Sequence, residues 1–144
     1  MMTPQRVSSE TPWESVVGYS RAVAAGDYVF VSGCTSVQGA ALVHDGDAYR
    51  QTVQAIANVS SALAKLGLGL SDVVRTRIFV TDITRWEEFG RAHSEAFGAT
   101  RPATTMVEVR GLVDPRMLVE VEAVAYRPGG ADRVARGSRA GAVA

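Results

Sequence analysis

The sequence contains one cysteine, Cys34, and two histidines, His44 and His93, among its 144 residues. A single thiol excludes an intrachain disulfide, and a thiolate metal site would need several chains. Two histidines so far apart argue against a zinc site, a Ser-His-Asp triad or a ribonuclease that uses general acid–base chemistry. We therefore expect no metal and no cofactor, and we interpret Cys34 as a small core residue and His93 as a packing or interface residue.

The chain also has no excess of charge of either sign, because its formal net charge is zero, and Lys65 is its only lysine. Nothing in this balance favours nucleic acid or an anionic membrane as a partner. No apolar run reaches the length that spans a bilayer. The first sixteen residues lack the basic region and apolar stretch that are typical of a signal peptide. These features predict a soluble cytoplasmic protein.

The hydrophobic content of 47% is that of a globular protein, and 144 residues are enough for one domain with an ordinary core. After Tyr126 the pattern changes, because the remaining sequence is rich in Gly, Ala and Arg and has no periodicity. We predict a single domain over residues 1–127 and a flexible tail over residues 128–144.

Two segments near the end of that domain, Ala103–Val109 and Leu118–Ala125, have the alternation of strands. In the first, Thr105, Val107 and Val109 share a face opposite Thr104, Met106 and Glu108. In the second, Val119, Val121, Ala123 and Ala125 lie opposite Glu120, Glu122 and Tyr126. We expect the two valine-bearing faces to pack against helices.

Earlier segments supply those helices and further strands. A turn at Ala25–Asp27 leads into an apolar strand, Tyr28–Ser32, which ends at Gly33, and Val73–Val80 has a strand pattern. A first helix is predicted between a cap at Asp45 or Asp47 and a stop at Gly67. Its buried side is predicted from the helical spacing of Tyr49, Val53, Ile56, Val59 or Ser60, Leu63 and Leu66. A second helix is predicted from Thr84, with Thr84 and Glu87 as a capping box, to Gly98. Its predicted apolar stripe consists of Trp86, Phe89, Ala92 or His93, and Ala96 or Phe97. The predicted fold is α+β, a mixed sheet with two helices packed on one face.

The other face of this sheet would carry both charged and large apolar side chains. The predicted members are Val73, Arg75, Arg77, Phe79, Met106, Glu108, Glu120, Glu122, Val124 and Tyr126. Paired charges among apolar groups suit a covered surface, so we expect sheets of several subunits to pack together. The alternative is an amphipathic face that is exposed to solvent.

The order and spacing of several short motifs resemble the Rid family, also called YjgF-like or endoribonuclease L-PSP-like. The motifs are Gly18-Tyr19, Val31-Ser32-Gly33, Val80-Thr81-Asp82, Arg101-Pro102-Ala103, Val107-Glu108-Val109 and Val119-Glu120-Val121-Glu122-Ala123. The resemblance covers about residues 5–127. It implies a chorismate-mutase-like fold, a homotrimer with a central barrel of sheets, and small-molecule clefts at the subunit interfaces.

The resemblance implies that the protein hydrolyses an imine or enamine to a keto acid and ammonia. It assigns catalytic roles to Glu120 and Tyr19, and substrate-binding roles to Ser32, Gly33, Thr104, Met106 and Arg101. The chain departs from the family at two positions. Thr104 stands where family members have an arginine that binds the substrate carboxylate, and Met106 stands where they often have a cysteine. Losing such a charge-assisted pair costs about 1.5–3 kcal/mol. We expect either that Arg101 or Arg110 replaces it or that the ligand has no carboxylate.

Two functions stay open at this point. One is an imine or enamine deaminase with an altered carboxylate anchor, based on the retained Tyr19, Gly33 and Glu120. The other is a non-catalytic trimeric protein that binds a small ligand or assists a pathway, based on Thr104.

Overall fold

The computed structural model describes residues 3–129, so the predicted tail falls almost entirely outside the described residues. Within this range the strands are β1 (Gln5–Val7), β2 (Ala22–Ala25), β3 (Tyr28–Cys34), β4 (Val37–Gln38), β5 (Ala41–Leu42), β6 (Val73–Val80), β7 (Ala103–Glu108) and β8 (Val119–Tyr126). The helices are α1 (Ala48–Ala64) and α2 (Trp86–Phe97), with short helical turns at Glu14–Gly18, Leu70–Asp72 and Ile83–Arg85.

The main sheet has the strand order β1-β2-β3-β8-β6-β7. Neighbouring strands are antiparallel except β6 and β7, which are parallel because α2 connects them as a crossover. β8 lies in the interior of the sheet between β3 and β6. This arrangement confirms the predicted mixed α+β sheet with two helices on one face.

Helix α1 begins where the sequence predicts, because the Asp47 side chain accepts a hydrogen bond from the Arg50 amide at 2.9 Å. Its core contacts differ from the prediction. Tyr49 is only partly buried and Val53 is 44% exposed, whereas Gln51 is fully buried. The Gln51 amide bonds the main chain at Arg116 and Leu118, next to the start of β8. A polar residue is buried here because it satisfies backbone groups of a loop.

Helix α2 begins at Trp86, two residues after the predicted cap. Asp82, not Thr84, provides the cap, since its carboxylate accepts from the Thr84 amide and starts a short 3-10 turn. Trp86 is 56% exposed, so its predicted place in the apolar stripe is wrong. Phe89, Ala92 and Phe97 form the buried side of the helix as expected.

Strand β8 has the predicted faces, since Val119, Val121, Ala123 and Ala125 are buried against the helices. Strand β7 has the opposite orientation to the one predicted. Met106 pairs with the buried Ile78 and packs against the core, while Val107 is 41% exposed. β7 is an edge strand with apolar residues on both faces, so alternation alone gives little contrast.

Val73 is also in the core, because a register irregularity between Val73 and Arg75 shifts the start of β6. The uncovered face of the sheet therefore lacks three predicted members, Val73, Met106 and Glu108. It does carry an ion pair between Arg77 and Glu122 at 2.9 Å. Beside it stand three aromatic side chains that are 40–49% exposed, Tyr28, Phe30 and Tyr126.

None of the helices within residues 3–129 combines the length and apolarity needed to cross a bilayer.

Candidate functional site

A cavity of about 840 Å³ opens at one end of the sheet. Its walls come from residues 8–19, the end of β3, the second half of α1 and the outward face of β8. Four of the seven predicted site residues line it, namely Tyr19, Ser32, Gly33 and Glu120. They meet because β3 and β8 are neighbours and Tyr19 lies three residues before β2, which pairs with β3.

A bulge in β3 shapes the floor of this cavity. Val31 pairs with Ala123 and Cys34 with Val121, so the two residues Ser32 and Gly33 stand opposite a single residue of β8. The Ser32 hydroxyl donates to the Ser20 carbonyl at 2.7 Å, which holds the bulged strand against the segment before β2. Bulges of this kind redirect side chains and backbone groups near functional sites.

Gly33 is required because the Glu120 side chain lies directly over it. A Cβ atom at position 33 would stand 1.8 Å from Oε1 of Glu120 and 2.6 Å from its Cδ. No side chain fits at such a distance, so only glycine allows the carboxyl group to occupy this place. The glycine therefore gives the carboxyl group direct access to the cavity floor.

Burial raises the pKa of Glu120, with Arg21 opposing the shift and the neighbouring Glu122 adding to it. Among residues 3–129 the Glu120 side chain has no hydrogen-bond partner, and Glu122 is engaged by Arg77. A carboxyl group with a raised pKa and no bonded partner is a better proton acceptor than an ordinary carboxylate, and it can return the proton in a later step.

Arg21, which the sequence analysis did not single out, lies behind Tyr19 and is 6% exposed. Its guanidinium donates to the Tyr19 hydroxyl at 3.2 Å and to the Gly33 carbonyl at 2.6 Å. It therefore fixes two parts of the cavity wall at once. The sequence signal is an arginine placed directly before the small apolar residues of β2.

Glu14 balances this charge, with its carboxylate 3.8 Å from the guanidinium of Arg21. Burial favours a higher pKa of Glu14, but hydrogen bonds from Ser9 and Thr11 and the charge of Arg21 outweigh it, so the pKa is lowered. Glu14 is thus ionised at neutral pH. The buried pair ties residues 9–14 to β2 and so forms one side of the cavity.

Cys34 is 3% exposed and belongs to the core, as the sequence predicts. Burial raises the pKa of its thiol, and the opposing effect of Arg21 is smaller. The group is therefore a neutral thiol at pH 7 and a poor nucleophile. At the rim of the cavity, the Lys65 ammonium donates to the Ser8 carbonyl at 2.7 Å.

The other predicted site residues, Arg101, Thr104 and Met106, are not among the described residues that line the cavity. Met106 packs against the core on the helix-covered face. Arg101 is exposed and has a φ of 52°, a left-handed conformation, where the chain leaves α2 and enters β7. In a single chain these residues and the cavity are thus separate.

The hydroxyl group of Thr104 belongs to a chain of hydrogen-bond contacts that reaches α2. Its Oγ1 lies 3.1 Å from the Pro102 carbonyl and 2.7 Å from Oγ1 of Thr76, which lies 2.8 Å from Nε2 of His93. All three contacts are satisfied together when Nε2 of His93 donates to Thr76, Thr76 donates to Thr104 and Thr104 donates to the carbonyl. Burial lowers the pKa of His93, which favours the neutral ring.

Residues 3–129 contain no group of three or more His, Cys, Asp and Glu side chains placed to hold a metal ion.

The mixed sheet, the two covering helices and the bulged strand define a small α+β protein with a cavity at the end of its sheet. Residues 9–127 match the family described as Endoribonuclease L-PSP, and the chain belongs to this family, also known as the YjgF or Rid family. The sequence resemblance to that family is thus confirmed.

Relatives agree with this assignment over most of the chain. An uncharacterised protein of Streptomyces coelicolor is 46% identical over 123 residues, 85% of this chain and 92% of its own length. A protein of Acinetobacter baylyi named 3-aminoacrylate deaminase RutC is 34% identical over 109 residues, 75% of this chain and 86% of its own length. The crystal structure of a YjgF/YER057c/UK114 family member from Mycobacterium tuberculosis is 49% identical, with a TM-score of 0.80, and the match covers 87% of this chain and all of that one.

Proposed function

We propose that this protein binds a small imine or enamine in the cavity beside Gly33 and hydrolyses it to a carbonyl compound and ammonia. The observation that carries the proposal is the Glu120 carboxyl group, held over Gly33 with a raised pKa and no bonded partner among the described residues. A related protein named 3-aminoacrylate deaminase performs chemistry of this class.

The residues present suit the two proton transfers of such a hydrolysis. Water adds to the C=N carbon while Glu120 takes up one of its protons. The same group then returns the proton to the nitrogen, which gives a carbinolamine. The hydroxyl proton of the carbinolamine next moves to the nitrogen as the C–N bond breaks, so that a C=O bond forms and ammonia leaves. Tyr19 is placed to donate a hydrogen bond to the ligand, since the guanidinium of Arg21 already donates to its oxygen. These steps use no redox group.

The test is the decay of imines generated in situ by an amine or amino-acid oxidase, with and without the protein. Wild-type protein should accelerate hydrolysis of at least one imine in a panel with and without carboxylates. Glu120→Gln should lose most of that acceleration. If wild-type and Glu120→Gln both leave every imine at the buffer rate, the proposal is wrong.

A second candidate function is a binding protein without turnover. Thr104 favours it, because its hydroxyl group is hydrogen-bonded to Thr76 and Pro102 and does not line the cavity. It predicts ligand-induced shifts at Gly33 and Tyr19 in NMR spectra with no change in imine decay. Turnover created by Thr104→Arg and absent from the parent would support this second reading.

The proposal extends to a cytoplasmic homotrimer with the ligand at the subunit interfaces. Its support is the uncovered sheet face, where the tilted ring of Tyr28 lies 5.1 Å from that of Tyr126 and 6.4 Å from that of Phe30, and all three side chains are partly exposed. An apolar patch beside an ion pair suits an interface between copies. Sedimentation velocity should give three times the mass of one chain, and Phe30→Glu should shift it toward the monomer. A wild-type protein that sediments as a single chain would refute the trimer.

A further inference from the structure

We infer that Arg21 is a positioning residue of the proposed hydrolysis. It holds the Gly33 backbone below the Glu120 carboxyl group, turns the hydroxyl proton of Tyr19 towards the cavity, and supplies the charge that keeps Glu120 available as a base. The inference rests on the proposed function and assigns a role to a residue that acts through its neighbours. Arg21 is only 6% exposed, so a second copy that borders the cavity would leave its contacts in place.

The first contact is with the bulge of β3. Ser32 and Gly33 stand opposite a single residue of β8, so the ladder is interrupted there. Nη1 of Arg21 donates to the Gly33 carbonyl at 2.6 Å and reaches the Ser32 carbonyl at 3.4 Å. A charged donor makes a stronger hydrogen bond than a neutral one. Because Glu120 lies directly over Gly33, the residue that holds this backbone also sets the floor on which the carboxyl group rests.

The second contact is with Tyr19. Nη2 of Arg21 donates to the Tyr19 hydroxyl oxygen at 3.2 Å. A guanidinium has donors only, so the phenolic proton cannot point back at it and turns to the other side of the oxygen, where the Tyr19 side chain borders the cavity. The guanidinium carbon also lies 5.5 Å from the centre of the Tyr19 ring, which adds a cation–π contact. Tyr19 is thereby fixed as a hydrogen-bond donor.

The third effect of Arg21 is electrostatic. Burial raises the pKa of Glu120, the charge of Arg21 lowers it, and the charge of Glu122 raises it again. The resulting pKa lies above the ordinary value, and without Arg21 it would be higher still. A carboxyl group that is protonated over a wider range of pH cannot take a proton from water. Arg21 therefore extends the range of pH in which Glu120 acts as a base.

Other charged or titratable groups surround the Glu120 carboxyl group. They are Glu10, Glu14 and Tyr19 from residues 8–19, Cys34 from β3, Lys65 from α1, Glu122 from β8 and, bound to Glu122, Arg77 from β6. A second copy would add the same groups to every variant. The difference between two proteins that differ only at position 21 therefore measures the effect of Arg21 itself.

The variants are chosen so that the chain still folds. Arg21→Met alone would leave the Glu14 carboxylate, which lies 3.8 Å from the guanidinium, buried without its counter-ion. Glu14→Gln is therefore the background, and Glu14→Gln/Arg21→Met replaces the buried pair by neutral groups, a change that proteins often tolerate. Glu14→Gln/Arg21→Lys keeps the positive charge without the planar fork. Arg6→Met is the control for the loss of an arginine, at an exposed position of β1 that is not among the described residues lining the cavity.

The titration of Glu120 is measured without any ligand, by carbon-13 NMR of its carboxyl group, and Glu120→Gln assigns the resonance. We expect the midpoint at a higher pH in Glu14→Gln/Arg21→Met than in Glu14→Gln, because a positive charge beside the carboxylate is lost. Glu14→Gln/Arg21→Lys should titrate close to Glu14→Gln, and Arg6→Met close to wild type. An unchanged midpoint in Glu14→Gln/Arg21→Met with a native amide spectrum would overturn the inference.

Turnover is measured with 4-methyl-2-iminopentanoate, which a D-amino-acid oxidase forms from D-leucine. Semicarbazide traps the free imine, so a fall in the initial rate of semicarbazone formation reports its hydrolysis. In the Glu14→Gln background, Arg21→Met should lower kcat about tenfold, as expected for one misdirected hydrogen bond. When Tyr19→Phe is also present, the same substitution should cost less than about threefold, because part of its effect is already lost. Equal losses with and without Tyr19→Phe would show that Arg21 does not act through Tyr19 and would overturn the inference.

The inference and the proposed function fail in different ways. If wild-type protein hydrolyses the imine and Glu14→Gln/Arg21→Met matches Glu14→Gln in both rate and titration, the inference is wrong and the proposed function stands. If wild-type protein leaves this imine and every other imine of the panel at the buffer rate, the deaminase is refuted. The carboxyl titration alone then decides whether Arg21 controls Glu120.

Discussion

Replacing Thr104 by valine tests the direction of the hydrogen-bond chain that joins β7 to α2. The direction that satisfies all three contacts places the proton of His93 on Nε2, with Thr76 accepting there and donating to Thr104. Without the Thr104 hydroxyl, the fully buried Thr76 hydroxyl loses its acceptor. It can keep a partner only by donating to Nε2, which requires the His93 proton to move to Nδ1.

This rearrangement sets the expected cost. A buried hydroxyl without a partner costs about 1–3 kcal/mol, whereas one lost hydrogen bond with the partners otherwise satisfied costs about 0.5–1.5 kcal/mol. Since the His93 ring can change tautomer, we expect Thr104→Val to lower the free energy of unfolding by about 1 kcal/mol. Urea unfolding at one fixed protein concentration measures this, since assembly would make the midpoint depend on concentration.

Nitrogen-15 NMR of the imidazole ring measures the tautomer directly. We expect the proton on Nε2 in wild-type protein and on Nδ1 in Thr104→Val. Thr105→Val is the matched control, because this neighbour on β7 is exposed and its hydroxyl only accepts from Arg75. It should change stability by less than about 0.5 kcal/mol and leave the ring unaltered. A wild-type ring protonated on Nδ1, or a tautomer unaffected by Thr104→Val, would refute the assigned direction.

Three further predictions concern the cavity wall. Gly33→Ala should displace the flexible end of the Glu120 side chain and abolish imine hydrolysis with little change in Tm. The control Gly111→Ala, at a position with open space around it, should keep the wild-type activity and Tm. Retained activity in Gly33→Ala would contradict the close contact between position 33 and Glu120. Because the pKa of Glu120 is raised above 4.5, the folded protein loses stability as pH rises through that pKa. Glu120→Gln should therefore unfold at a higher urea concentration than wild type at pH 7, and this difference should vanish below about pH 4. A lower urea midpoint for Glu120→Gln at pH 7 would show that the carboxylate stabilises the folded protein. Glu14→Ala should lower the free energy of unfolding by about 3 kcal/mol, because it leaves Arg21 buried without its counter-ion. Glu10→Ala, at an exposed position, should have little effect on stability. Equal urea midpoints for wild type and Glu14→Ala would refute a stabilising role of the pair.

Alternation along β8 was enough to predict that Glu120 lies opposite the buried valine face, whereas its proximity to Gly33 was implied only by the resemblance to the family. That strand lies inside the sheet, where one face is buried and the register is well specified. The same reasoning failed for β7, because an edge strand with Val107 and Met106 on opposite faces offers no strong contrast. At the start of β6, a register irregularity turns the side chain of Val73 to the core face of the sheet. A regular alternation of residues cannot predict such an irregularity.

Arg21 and Glu14 could not be recognised from their own neighbourhood in sequence. The acceptors of Arg21 come from residues 9–19 and 32–34, which meet only when β2 and β3 pair and a helical turn folds over them. Similarly, Gln51 is a polar residue on a helix, and its burial is explained only by its hydrogen bonds to the main chain of the loop before β8. Buried polar groups are defined by partners that are distant in the chain.

The position of the single lysine has a practical use. Apart from the amine at the start of the chain, Lys65 is the sole primary amine in the sequence, and its Nζ stands at the mouth of the cavity, 2.7 Å from the Ser8 carbonyl. An amine-reactive dye attached there would act as a reporter at the entrance, and its fluorescence would register ligand entry without any engineered cysteine.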